Sequence, residues 1–166
     1  MMDEELLKKE LTAGPAKLEY QLCFALYSAS RATIDIYRPM LNEPGITYPQ
    51  YLVLLILWER GARSVKEIGH LLHLDSGTLS PLLKRLETTG YIKRQRRPED
   101  ERVVDISLTD SGLALQKEAA SIPFKFACEL GLTAEEYLSL MSSLKRLTEH
   151  LYARQVHSEE EEKLFF

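Results

Sequence analysis

The sequence predicts a mainly α-helical fold that carries one small β-hairpin, and three observations lead there. Thr47-Tyr-Pro-Gln50, Ser64-Val-Lys-Glu67 and Thr133-Ala-Glu-Glu136 all have the S/T-x-x-E/Q pattern of a capping box. In that pattern a hydroxyl and a third-position side chain satisfy backbone N–H groups left over at a helix start. Gly61, Gly90 and Gly131 each follow an apolar-periodic run, where a left-handed residue closes a helix. Between Tyr91 and Leu108 the period drops to two: "YIKRQR" alternates, "PED" turns, and "RVVDISL" alternates again with β-branched residues.

Taken in order, a first helix of roughly 16–40 opens after Pro15 and carries "QLCFALYSASR". Helices of roughly 48–60, 64–72 and 76–89 follow, then the hairpin, then helices of roughly 110–130 and 133–153. Pro81 leaves two arrangements open for the helix that carries it: Thr78 as N-cap with Pro81 in the first turn, or a bend at Pro81, since proline has no N–H to donate. The run Glu159–Glu162 reads as a solvated, frayed C-terminal tail. Helix, helix, helix, hairpin over residues 48–108 is the order of a winged helix-turn-helix lobe. Residues 1–47 and 109–166 carry more apolar surface than that lobe can cover, including Leu22, Leu26, Leu113, Leu138, Leu144 and Leu151. They are therefore expected to form a helical dimerisation region that packs on a second copy about a two-fold axis.

A chain of 166 residues buries enough surface to fold without disulfides. Its two cysteines lie 105 positions apart with no CxxC and no histidine-rich cluster, which argues against a secreted disulfide framework and a zinc finger. His70 and His73 alone are too few to hold a metal, so neither a metal nor a cofactor is expected. The longest apolar run, Tyr51–Trp58, is far below the ~18 residues that span a bilayer. "MMDEELLKKE" lacks the apolar core of a signal peptide. These features predict a soluble cytoplasmic protein with no membrane partner.

The net charge of −4 hides a basic segment: from Lys84 to Arg97 there are six basic residues against Glu87 alone. This segment directly follows the helix-turn-helix pattern, which predicts double-stranded DNA as partner. In the second helix of that pattern, Ser76, Thr78 and Ser80 stand near the start, where hydroxyls and backbone N–H groups reach phosphates or base edges. Lys84 and Arg85 follow. In the hairpin tip "RRPEDER", Arg102 is placed to enter a minor groove, while Arg94, Arg96 and Arg97 are expected to face backbone phosphate.

The stretch "LDSGTLSPLLKRLETTGYIKRQRRPEDERVVDISLTDSG" resembles the DNA-binding lobe of the MarR family of bacterial regulators, whose wing carries a D-x-R element, here Asp100-Glu-Arg102. Upstream, "LCFALYSASR" and "ITYPQYLVLLILWE" are similar to one branch of that family, the organic hydroperoxide resistance regulators. The resemblance covers about residues 18–122 in detail. It implies a homodimeric repressor that binds an inverted-repeat operator when reduced, its recognition helices in successive major grooves ~34 Å apart. Oxidation of Cys23 by organic hydroperoxide then releases it. The resemblance points to Tyr37 and Tyr48 as hydrogen-bond partners of the reactive cysteine. It also gives Cys128 the place of the resolving cysteine, which forms a disulfide between subunits in the two-cysteine class. A peroxidase reading is disfavoured, because the helix punctuation denies the βαβ scaffold of a thioredoxin-like enzyme. A MarR-type repressor relieved by a phenolic ligand is the alternative.

By itself a free cysteine among apolar neighbours is packing material. On one straight helix, 14 residues at 1.5 Å rise put Tyr37 roughly 21 Å from its own Cys23. If two copies of the helix cross antiparallel, Cys23 of one meets Tyr37 of the other. With Pro15 opening the first helix, Cys23 falls beyond the first turn, where the helix dipole has faded. Cys128 precedes Gly131 at the negative end of its helix. The apolar neighbours Phe24, Leu26 and Trp58 suit an organic oxidant.

Overall fold

The computed structural model describes residues 17–164, with Glu5 and Lys8 ahead of them, and side chains as far as Arg154, Glu19 excepted. The expected helix opening at Pro15 lies outside the described residues. A 3-10 turn at Leu18–Tyr20 precedes helix α1 (Leu22–Asn42). Then come α2 (Tyr48–Arg60), strand β1 (Arg63–Ser64), α3 (Val65–Leu72) and α4 (Ser76–Thr88). The wing follows as β2 (Ile92–Arg97) and β3 (Asp100–Leu108), and the chain closes with α5 (Asp110–Ala119), α6 (Ile122–Glu129) and α7 (Ala134–Leu164). The fold is thus mostly helical with one antiparallel sheet of order β1-β3-β2. Contacts divide it into two compact units, residues up to Ile122 and residues from Pro123 on.

The capping boxes form as their spacing predicts. At α3 the Ser64 N–H donates to Glu67 Oε2 at 2.8 Å and the Glu67 N–H returns to Ser64 Oγ at 3.2 Å. Ahead of α7, Thr133 and Glu136 exchange the same pair of bonds at 2.8 and 3.3 Å. Ahead of α2, Gln50 Oε1 accepts from the Thr47 N–H at 2.8 Å. The Ser64 hydroxyl and N–H hold the Glu67 carboxyl below its usual range, and the Thr133 N–H and hydroxyl do the same for Glu136.

The core of the first unit is built around α4. Leu79, Leu83 and Leu86 are fully buried and meet Leu54 and Leu57 of α2, Ile68 of α3, and Ile92 and Ile106 of the sheet. Leu41 of α1 and Leu115 of α5 join the same cluster. Each such side chain contributes about 1.5–3 kcal/mol by leaving water.

Four features differ from the sequence expectation. The first helix opens at Leu22 rather than near residue 16, because Leu18–Tyr20 winds as a 3-10 turn and Gln21 is extended. The helix expected over 110–130 is two helices: α5 ends at Ala119, and Pro123 fits only the first turn of a new one. Arg63–Ser64 forms an additional edge strand, with Arg63 opposite Ile106 and Ser64 opposite Asp105. Finally, the backbone of α7 stays helical through Leu164, across the glutamate run expected to fray.

Gly112 opens α5 where it crosses the end of the first helix–hairpin connection, and a Cβ there would run into the carbonyl of Tyr91. That carbonyl is itself fixed by the Thr109 N–H at 3.1 Å and cannot step aside. Gly112→Ala should therefore lower unfolding free energy by about 3 kcal/mol, as overpacking against rigid backbone does. Urea denaturation followed by circular dichroism checks this, and an unchanged midpoint would show that the close approach is not needed.

Candidate nucleic-acid interface and thiol site

Helix α3, a tight turn and α4 form the helix-turn-helix. His73 closes α3 in the left-handed conformation at φ 54°, a role the sequence reading did not assign to it. The turn is tight enough that a Cβ on Gly69 would come within 2.8 Å of the Leu74 carbonyl. Asp75 then caps α4: its carboxylate accepts from the Thr78 N–H at 2.9 Å and from the Thr78 hydroxyl at 2.8 Å. Of the two arrangements left open around Pro81, Thr78 as N-cap is not found. The cap lies three residues before Thr78, and Pro81 sits in the second turn of a helix that continues past it.

Because Leu79, Leu83 and Leu86 turn inward, Ser76, Thr78, Ser80, Lys84 and Arg85 are left exposed. The leading N–H groups are already turned onto Asp75, whose carboxyl is held below its usual range by Thr78. A groove of about 700 Å³ separates α4 from the wing. Lys66, His70, Ser76, Ser80, Arg94, Arg97 and Arg102 line it, so a run of cations and hydroxyls follows one concave surface.

The wing arginines have different environments. Arg97 makes a two-pronged pair with Asp105, Nε to Oδ2 at 3.0 Å and Nη2 to Oδ1 at 2.7 Å, across a strand irregularity at Arg96/Arg97. The pairing holds the Asp105 carboxyl below its usual range. Arg96 donates to the Glu101 carbonyl at 2.7 Å. Arg94 is half-buried, and its Nε is enclosed without a hydrogen-bond partner. Arg102 is the projecting one: its side chain is 92% exposed, while Asp100 Oδ1 takes both its backbone N–H at 3.1 Å and its Nε at 3.0 Å. Asp100 thus aims Arg102 outward by a two-residue loop of hydrogen bonds.

Cys23 is exposed on α1, in the first turn of the helix. This corrects the expectation that it lies beyond that turn. No side chain caps α1 at Gln21, two residues before Cys23. Tyr37 lies on the same unbroken helix, and Pro39 comes only after it. The ring of Tyr37 packs 4.6 Å from that of Tyr48 and 6.0 Å from that of Tyr51. Tyr37 and Tyr48 are therefore brought together, but a rigid helix of roughly 21 Å separates them from the cysteine of their own chain.

Burial raises the Tyr48 phenol above its ordinary value and keeps its proton in place as a donor. Burial and the neighbouring Tyr48 do the same for Tyr51. Tyr48 also lines a cavity of about 440 Å³ with Arg38 of α1 and Arg85 of α4, so the tyrosine end of α1 and the exposed face of α4 share a wall. The sequence reading did not find Arg38. Nor did it find Arg31, which donates to the Tyr27 hydroxyl at 2.9 Å one turn beyond Cys23; the i, i+4 spacing carried that signal. In the second unit, Cys128 is exposed near the end of α6. Phe124, Leu138, Met141 and Leu151 are exposed there as well. Among the described residues no group of three or more His, Cys, Asp or Glu side chains converges as metal ligands, and no helix is long and apolar enough to cross a membrane.

The raised Tyr48 phenol has a consequence for stability. The unfolded phenol ionises near pH 10, before the folded one, so the contribution of this burial is intact below about pH 10 and is lost as pH rises above it. Tyr48→Phe should therefore show a smaller drop in urea midpoint between about pH 9 and pH 11 than the parent chain. Parallel drops would mean that Tyr48 does not titrate differently on folding.

Three comparisons with known proteins agree. The family model for the transcriptional regulator SarA/Rot matches residues 35–119. The organic hydroperoxide resistance transcriptional regulator of Bacillus subtilis is 48% identical over 138 residues, which cover 83% of this chain and 94% of that protein. The HTH-type transcriptional regulator TtmR of Methylorubrum extorquens is 48% identical over 140 residues, 84% of this chain and 72% of that one. Among solved structures, reduced AbfR bound to DNA superposes with a TM-score of 0.69 at 36% identity, over 91% of this chain and 99% of that one. AbfR, from Staphylococcus epidermidis, has also been solved with a disulfide formed, and that structure matches with a TM-score of 0.59 at 38% identity over 89% of this chain and 98% of that one.

Proposed function

Since the chain belongs to the MarR-type winged-helix transcriptional regulators of the SarA/Rot and organic hydroperoxide resistance kind, we propose that it is a homodimeric repressor which organic hydroperoxide releases from DNA by oxidising Cys23. One observation carries the redox part. Cys23 stands exposed at an uncapped helix start, while the Tyr37–Tyr48 donor pair sits at the far end of the same rod. Two such rods crossing antiparallel bring each cysteine to the other chain's tyrosines. The exposed apolar side chains of α1, Leu22, Phe24, Tyr27 and Ile34, are the surface for that crossing.

In the first step the Cys23 thiolate attacks the O–O bond of the hydroperoxide. A sulfur–oxygen bond forms, the O–O bond breaks, and the alkoxide leaves and takes a proton to become the alcohol. Cys23 is then a sulfenic acid. The Cys128 thiolate of the other subunit displaces hydroxide from that sulfur, forming a disulfide and, after protonation, water. Tyrosine hydroxyls that bonded to a thiolate no longer find it, and the strain reaches the Tyr48–Arg85 wall and hence α4. The reduced dimer sets two α4 helices in successive major grooves of an inverted repeat, with Arg102 of each wing toward a minor groove. Such a protein acts in the cytoplasm.

Mobility shifts with and without an organic hydroperoxide, repeated after dithiothreitol, test the reading. The parent chain should leave DNA on oxidation and return on reduction. Cys23→Ser should bind and never leave; release of Cys23→Ser by a phenolic ligand would instead favour the ligand-relieved alternative. Cys128→Ser should still be released but show no cross-linked dimer on non-reducing gels, and should drift to sulfinic or sulfonic acid that thiols do not restore. A monomer-only gel for oxidised parent protein would remove Cys128 from the resolving role.

Tyr37→Phe and Tyr48→Phe each remove one hydroxyl with almost no change in volume, so dimerisation and DNA affinity should persist. Loss of a charged hydrogen bond worth ~1.5–3 kcal/mol should slow oxidation of Cys23 by roughly 10-fold or more. Stopped-flow oxidation in the Cys128→Ser background measures it, and parental rates in both variants would disprove the trans-subunit network.

A further inference from the structure

The exposed Thr78 and Ser80 hydroxyls of α4 are not free to act in both hydrogen-bonding senses. A hydroxyl has one proton and two lone pairs. The Thr78 hydroxyl gives its proton to the Asp75 carboxylate at 2.8 Å, and the Ser80 hydroxyl gives its proton to the Ser76 carbonyl at 2.6 Å. Both acceptors lack a proton to return, so the direction of each bond is fixed by chemistry. Thr88 and Thr89 follow suit, donating to the carbonyls of Lys84 and Leu86. At 100° per residue, Thr78 and Ser80 flank a ridge formed by Gly77 and Pro81, opposite the buried leucines. Pro81 supplies no N–H to the Gly77 carbonyl, which adds another acceptor to that ridge.

We infer that the leading turns of α4 read DNA as hydrogen-bond acceptors: Thr78 and Ser80 select the exocyclic amino groups of adenine or cytosine in the major groove, and Asp75 sets that polarity. Adenine N6 and cytosine N4 are the donors that this groove displays, whereas guanine N7 and O6 and thymine O4 are acceptors that these hydroxyls have no proton to meet. The carboxylate that fixes the polarity also repels phosphate, which leaves backbone neutralisation beside this turn to Lys84 and Arg85. The low proton affinity of the Asp75 carboxyl keeps it an acceptor throughout the neutral range. The inference rests on the reading of this chain as a DNA-binding regulator.

Asp75→Asn tests it by reversing the polarity. Asparagine is an equally good N-cap, and its amide oxygen can keep the Thr78 N–H. Its NH₂ then donates to the Thr78 oxygen, which frees the hydroxyl proton to point outward. Duplexes enriched from a random pool by the reduced full-length protein should show a base pair whose preference disappears in Thr78→Val, and that pair displays one amino group in the major groove, on its adenine or its cytosine. Replacing that adenine by purine, or that cytosine by 2-pyrimidinone, should weaken parental binding about fivefold and leave Thr78→Val binding unchanged. With Asp75→Asn, shown to be folded by its melting temperature, loss of that amino group should no longer weaken binding. Indifference of the parent to loss of that amino group, an unchanged sensitivity in Asp75→Asn, or no base pair coupled to Thr78 would each overturn the inference while leaving DNA binding intact. Failure of the parent to enrich any duplex would instead overturn the DNA-binding reading, and this inference with it.

Discussion

The placement of three leucines governs the rest of the molecule. Leu79, Leu83 and Leu86 lie on one stripe of α4 and are completely withdrawn from solvent against α2, α3 and the sheet. A helix has only one rotation that achieves this, so the same contact decides which polar residues face away. Thr78, Ser80, Lys84 and Arg85 are outward for that reason alone. The core also holds Leu41 of α1 and Leu115 of α5. The reading face and the helix that carries the cysteine are thus anchored to one set of buried side chains, and a displacement of one is felt by the other through packing that deforms only in discrete steps.

Stiffness is the second constraint. An α-helix cannot fold back on itself, and α1 is unbroken between Cys23 and Tyr37. The donors that suit the sulfur are in the same molecule yet unreachable from it, which makes association a requirement of the chemistry in the proposed mechanism.

Much of this was legible in the sequence because it depends on local rules. Capping boxes, the period-two hairpin and the order of elements need only neighbours a few residues apart, and they gave the helix-turn-helix and its wing correctly. What escaped reading was non-local or too short to have a period. Strand β1 has two residues and exists because β3 offers it an edge. The break at Ala119–Ile122 is marked only by Pro123, which is equally at home in a helix's first turn. The start of α1 was misplaced because Leu18–Tyr20 has helical composition but winds more tightly. In the wing, the sequence shows a basic stretch but does not sort the surroundings of its arginines. Arg97 meets Asp105 although the pairing sets Gln95 opposite Asp105 and Arg97 opposite Asp100 across a strand irregularity, and no spacing in "RRPEDER" announces that.

One feature of the fold offers a view of the whole. The chain has a single tryptophan, and Trp58 gives its indole proton to the Gly112 carbonyl at 2.9 Å while its ring meets Tyr51 edge-on at 6.1 Å. Its residue stands at the joint where α2, bearing Tyr48 at its other end, is stitched to α5 across 54 positions of sequence. Any change that slides α5 on the lobe must stretch that bond and admit water to the ring. The protein therefore contains its own optical gauge, a lone fluorophore whose colour and brightness follow the joint between α2 and α5 without any label being added.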